Sequence, residues 1–162
     1  MSKFFSKKTF FYITIFLFIF FLDRITKISI INILDKSEYN SIYINNFINF
    51  VLIWNSGVGF GLFSSENYFI YNTTTLLITL INLLILFLIY KSNNIKRLIF
   101  VVILGGSSGN LFDRFYYSAV PDFIDINYNE YHWFIFNVAD IFISIGIFCL
   151  IFVEVFDYKK KQ

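Results

Sequence analysis

Residues 98–114 read LIFVVILGGSSGNLFDR, and these seventeen positions decide how the chain must fold. An apolar run passes straight into two glycines, a polar cluster and an Asp-Arg pair, with no loop between them. A helix facing lipid cannot carry that pattern. Ionisable groups at membrane depth are costly, and they persist where they face other helices or a watery cavity. Asp113 therefore needs an interior partner, and Asp140 is the candidate.

Composition supports the membrane setting. The chain has 162 residues, 57% hydrophobic and 23% aromatic, with 15% charged and a single proline. One soluble core of this size could not hide so many apolar side chains. The net charge of +2 is small, and the basic residues sit in short clusters between apolar runs. That pattern sets membrane orientation and argues against nucleic-acid binding. Cys149 is the sole cysteine and His132 the sole histidine, so neither a disulfide nor a thiolate or histidine metal site can be assembled within the chain.

Working outward, four spans are expected, at about 9–34, 68–90, 98–115 and 134–156, within one domain covering 1–162. Residues 1–8 have the basic start of a signal peptide, but no small-residue cleavage site follows the apolar run. Asp23, Arg24 and Lys27 interrupt span one, and Asp23 and Lys27, four apart, share a helix face and can pair. Segment 35–67 alternates polar and apolar residues before the glycine-rich NSGVGFG (55–61), which suggests a small sheet at the membrane surface. Segment 116–133 reads as a polar outer loop with Pro121, Asp122, Asp125 and Glu130. His132 and Trp133 read as interfacial anchors of span four. The expected fold class is an all-α membrane protein, a four-helix transmembrane bundle with a small β-sheet and loop region at its outer surface.

Basic clusters (Lys3, Lys7, Lys8; Lys91, Lys96, Arg97; Lys159–Lys161) fall at both termini and between spans two and three. The other loops carry Asp35, Glu38, Glu66, Asp122, Asp125 and Glu130 against Lys36 alone. By the positive-inside rule both termini are cytoplasmic. At 1.5 Å per residue, Asp23, Asp113 and Asp140 lie roughly 21, 22 and 25 Å from the inner edge. The hydrocarbon layer is about 30 Å thick, so the three acids share a level near the outer face.

Asn110-x-x-Asp113 and Asn137-x-x-Asp140 repeat one offset, which on a helix puts the amide beside the acid. Gly105 and Gly109 form a small-xxx-small surface that admits a neighbouring helix. Two aspartates in a partly dry site cannot both ionise easily and would share a proton, one accepting from water while the other polarises a carbonyl. Three other readings compete. Asp113 pairs with Arg114 or Lys27 and only holds helices together; Ser107 or Ser108 works with Lys27 as a serine-lysine pair; or the acids line the pathway of a proton-coupled transporter.

Five stretches resemble the bacterial lipoprotein signal peptidases, signal peptidase II. They are Asp23-Arg24-x-x-Lys27, Asn55-x-Gly57-x-Gly59-Phe60-Gly61, Gly105-Gly106-x-x-Gly109-Asn110-x-x-Asp113-Arg114, Val120-x-Asp122-Phe123-Ile124-Asp125 and Phe136-Asn137-x-Ala139-Asp140. They run in the family's order through nearly the whole chain. Gly59, Ser107, Pro121 and Ile135 depart from the family's usual residues, and none of these is an acid. The resemblance implies a multi-pass aspartyl endopeptidase of the bacterial inner membrane. It would cut diacylglyceryl-modified prolipoproteins before the lipidated cysteine, with no cofactor or metal. Asp113 and Asp140 are then expected as the catalytic pair, with Asp23, Lys27, Asn55, Gly57, Asn110, Arg114 and Asn137 supporting or contacting substrate. The expected partners are the prolipoprotein and membrane lipid, with the chain acting as a monomer.

Overall fold

The computed structural model of the chain describes residues 6–34, 41–57, 68–129 and 131–159. Its elements run α1 (Lys7–Leu34), β1 (Ser41–Asn45), β2 (Ile48–Asn55), α2 (Tyr68–Lys91), α3 (Asn94–Tyr117), β3 (Val120–Tyr128), β4 (Tyr131–Phe136) and α4 (Val138–Lys159). Several sequence features fall outside the described residues: Lys3, the 35–40 charges, Gly59 to Gly61, Glu66, Glu130, Lys160 and Lys161.

Helix α1 starts where Ser6 accepts the Thr9 N–H on its hydroxyl at 3.1 Å, satisfying one otherwise unpaired donor of the first turn. Helices α2, α3 and α4 (Val138–Asp157) are long and apolar enough to cross a membrane. Only Thr75, Asn82 and Ile85 of α2 are buried, so most of its apolar surface points away from the protein. Without a membrane such a face would be unstable; in lipid it is the expected one. Helix α3 is central and packs on α1, α2 and α4. The glycines make this approach possible. A Cβ on Gly109 would stand 2.5 Å from the Asp23 carboxylate of α1, and one on Gly106 would stand 2.6 Å from the Ala139 carbonyl of α4. The small-residue surface read from the sequence thus receives α1.

The four strands form one antiparallel sheet in the order β1-β2-β3-β4. Asn45 shapes the first hairpin, its side-chain oxygen accepting the N–H groups of Phe47 and Ile48 at 2.9 and 3.0 Å. The sheet rests on the end of α1, where Phe123 packs with Ile30 and Leu34. Two expectations are corrected here. Segment 116–133 is largely strand, not loop, and Phe134–Phe136 ends β4 rather than beginning the fourth span. His132 and Trp133 lie on β4, and His132 meets the buried Asp125 carboxylate at 2.7 Å. Strand β3 hid from sequence reading because its first six positions are nearly all buried, on both faces, so its pattern does not alternate.

Candidate active site

The polar residues of α1, α3, α4 and the sheet form two adjoining layers. The first is a cluster of charges. The Lys27 ammonium donates to Asp23 Oδ2 at 2.8 Å, to Asp113 Oδ2 at 2.7 Å and to Asn110 Oδ1 at 2.7 Å. Arg24 pairs with the other Asp113 oxygen, and its guanidinium lies 4.7 Å from the centre of the Phe112 ring. Asp23 uses its second oxygen to accept the Ala139 N–H at 2.9 Å, tying α1 to the first turn of α4. Asp23, Lys27 and Asp113 are completely buried. Two carboxylates facing two cations balance the charge, the condition under which such a group of ions tolerates burial.

The second layer is built of amides. Asn110 accepts the Lys27 N–H on its Oδ1 and donates its Nδ2–H to Asp140 Oδ1 at 2.8 Å. Asn137 caps α4. Its side-chain oxygen accepts the Asp140 N–H at 3.1 Å while Asp140 Oδ2 accepts the Asn137 N–H at 3.2 Å, a reciprocal capping box. The Asn137 Nδ2 is then free to donate to Asp122 Oδ1 at 2.6 Å, and Asn55 Nδ2 donates to Asp122 Oδ2 at 2.8 Å. Asn55 holds the Gly57 N–H at 2.8 Å. Arg114 reaches the Gly57 carbonyl, and its own carbonyl accepts the Tyr71 hydroxyl at 2.7 Å, linking α3 to the turn after β2 and to α2.

A cavity of about 350 Å3 opens on this second layer. Asn55, Asn110, Arg114, Asp122 and Asp140 line its polar side, while Ile78 and Ile81 of α2 face Ile143 and Ile147 of α4 across its apolar side. Burial, with the Asp140 charge next to it, pushes the Asp122 carboxyl up from the ordinary carboxylate range to about 6. The bonds from Asn55 and Asn137 pull it the other way.

All nine residues singled out from the sequence gather in these two layers, but the expected pairing of Asp113 with Asp140 does not form. Among the described residues no hydrogen bond joins the two; Asn110 stands between them. Asp113 has both oxygens committed to cations and does not line the cavity. The acid that shares the cavity with Asp140 is Asp122, which sequence reading placed in a motif but gave no chemical role. Asp122 lies just beyond the end of α3 at Tyr117, past the left-handed cap at Ser118 and directly after Pro121, and strand β3 carries it back over the site, a placement that only the fold reveals. The Lys27 interaction named as a structural alternative is present, together with one from Arg24. The serine-lysine pair is not supported, since Lys27 has its three hydrogens engaged by Asp23, Asn110 and Asp113.

A family model described as signal peptidase (SPase) II matches residues 15–156 of the chain. The chain belongs to the signal peptidase II family. It is 48% identical over 161 residues to the lipoprotein signal peptidase of Pelagibacter ubique (strain HTCC1062), covering 99% of this chain and 97% of that relative. To the lipoprotein signal peptidase of Aquifex aeolicus (strain VF5) it is 38% identical over 153 residues, covering 93% and 89%. A solved bacterial membrane enzyme shares the fold with a TM-score of 0.74 at 25% identity, over 93% of this chain and 91% of that one. As a signal peptidase II family member the chain is a membrane-bound peptidase, and the transporter reading is set aside.

Proposed function

We propose that this peptidase is an intramembrane aspartyl endopeptidase that removes signal peptides from diacylglyceryl-modified prolipoproteins, cutting before the lipidated cysteine, with Asp122 and Asp140 activating water. One observation carries the reading: these two acids line the same cavity and are both bound by Asn137. Their other partners are neutral amides, which hold a carboxyl in place without forcing it to remain ionised.

The pair works with one proton between them. A water held between the carboxyls attacks the scissile carbonyl carbon and loses a proton to the ionised acid. The neutral acid gives its proton to the carbonyl oxygen, leaving a tetrahedral diol. The C–N bond then breaks as the nitrogen takes the proton that came from water, and a diol hydroxyl returns its proton to the other carboxylate. The pair is restored without metal, cofactor or covalent intermediate. Asn110 and Asn137 hold Asp140; Asn55 and Asn137 hold Asp122. Asp23, Lys27, Asp113 and Arg24 fix α1 and α4 against α3, and Arg114 fixes the Gly57 turn at the cavity mouth.

Helix α1 supplies the fourth span, and the charge bias puts both termini in the cytoplasm of a bacterial cell, with the acids near the outer face of the inner membrane. A lipidated cysteine holds its scissile bond at that level. A second, apolar groove of about 330 Å3 along Ile141, Ile145 and Phe148 also ends at Asp140 and offers acyl chains a path from lipid. Every residue used comes from one chain, so a monomer suffices. The test is cleavage of a diacylglyceryl-modified peptide by the purified protein in detergent, beside the unmodified peptide. Equal cleavage of both removes the lipid from recognition, and normal cleavage by Asp122→Asn removes the pair.

A further inference from the structure

A groove outside the active site lies at the opposite end of the bundle. It holds about 510 Å3 between α1, α2 and α3. Phe16, Leu86, Val101 and Leu104 make its walls apolar, and polarity enters at one end only, where Arg97 and Tyr12 meet. The guanidinium of Arg97 lies 5.8 Å from the Tyr12 ring centre, and its Nε donates to the Ile89 carbonyl at 3.1 Å. Its remaining contact to the Asn93 side-chain oxygen is long, at 3.5 Å. No carboxylate among the described residues pairs with Arg97, whereas the adjacent Lys96 is bound by Glu154 and Asp157 at 2.8 and 3.0 Å. A half-buried guanidinium at the head of an apolar cleft, held in place but without a counter-charge, is suited to a planar anion such as phosphate.

We infer that this groove binds one phospholipid of the leaflet in which it lies, with an anionic headgroup: the phosphate on Arg97 and an acyl chain along Phe16, Leu86, Val101 and Leu104. The setting selects lipid over protein: apart from the Arg97 end the groove's walls are apolar, and α2 and α3, which supply most of them, are long and apolar enough to cross a membrane and meet acyl chains on their outer faces. Charge selects an anionic headgroup. Lys7, Lys8 and Lys91 are exposed at the same end of the bundle, and each basic residue near a membrane surface adds to attraction for anionic lipid. The inference is separate from the peptidase reading, because lipid retention is measured without substrate and without cleavage.

The experiment is native mass spectrometry of the full chain, delipidated in detergent and given dioleoylphosphatidylglycerol or dioleoylphosphatidylcholine. One tightly retained phosphatidylglycerol per chain is expected, with about tenfold weaker retention of phosphatidylcholine. Arg97→Gln brings the two lipids level, and Val101→Trp, which fills the groove, lowers retention of both. Lys91→Gln, on the exposed rim, keeps the preference within about twofold. Equal retention of both lipids by the unaltered protein overturns the inference, as does a Lys91→Gln effect as large as that of Arg97→Gln, which would mean diffuse charge. A second measurement needs no variant. Phosphatidylglycerol with a photoreactive acyl chain should label peptides containing Phe16 or Leu104, and labelling confined to α4 or the sheet sinks the site.

Discussion

Asp113 and Asp122 are nine residues apart and sit in neighbouring layers of one site, yet their surroundings differ in kind. Asp113 lies between Arg24 and Lys27, completely buried, with both oxygens in ion pairs. Asp122 is held by the amides of Asn55 and Asn137 and faces a cavity shared with Asp140. Cations fix a carboxylate in its charged form and make it a structural part. Amides orient a carboxyl while leaving it able to gain and lose a proton, which general acid-base chemistry needs. The contrast also explains why the two layers touch. Asn110 receives Lys27 on its oxygen, so its NH2 must face Asp140, and the fixed charges set the direction of a hydrogen bond in the reactive layer.

The sharpest way to break this contrast is to neutralise each acid in turn. Asp122→Asn and Asp140→Asn should each lower cleavage of a lipidated peptide by ~10²–10⁴-fold, while purifying with unchanged helix content and melting temperature. Asp113→Asn should do the reverse. It strips one charge from a buried ionic cluster, at a cost of ~3–5 kcal/mol, so the melting temperature in detergent falls steeply. The molecules that remain folded should keep far more activity than the Asp122 variant does. If Asp113→Asn melts normally and is inactive, the roles assigned to the two layers are exchanged.

Smaller effects refine the picture. Gly106→Ala pushes a methyl against the Ala139 backbone carbonyl, which cannot swing away as a side-chain tip can. It should separate α3 from α4 and destabilise the protein by ~1–3 kcal/mol, read as a lower melting temperature. The least disruptive test is a pH profile. Activity needs one proton in the pair, so kcat/KM should fall as pH rises past the Asp122 value of about 6 in the free enzyme. Asn55 stabilises the charged form, so Asn55→Ala raises the Asp122 value further and moves that alkaline limb to higher pH. A limb that stays in place, or moves down, places the titrating group elsewhere.

The repeated Asn-x-x-Asp shows how far local pattern carries. In α3 it does what the spacing promises, with Asn110 and Asp113 on one helix face, both reached by Lys27. In α4 the same letters are a helix cap, because Asn137 lies just before the first turn. Strand β4 misled for a related reason: its last three residues, Phe134-Ile135-Phe136, are as apolar as the helix they precede, and only pairing with β3 makes them strand.

The sequence by itself determined the membrane setting, four helices of which α2, α3 and α4 are long and apolar enough to span it, the glycine contact of α3 with a neighbour, and the family. Each of these follows from composition, local period or motif order. Only the tertiary structure decided which acid joins Asp140. That choice depends on β3 folding back from the end of α3 and on Arg24 and Lys27 reaching Asp113 from another helix. Ion pairing and desolvation act through space, between residues about ninety positions apart in the chain, and no local spacing records them.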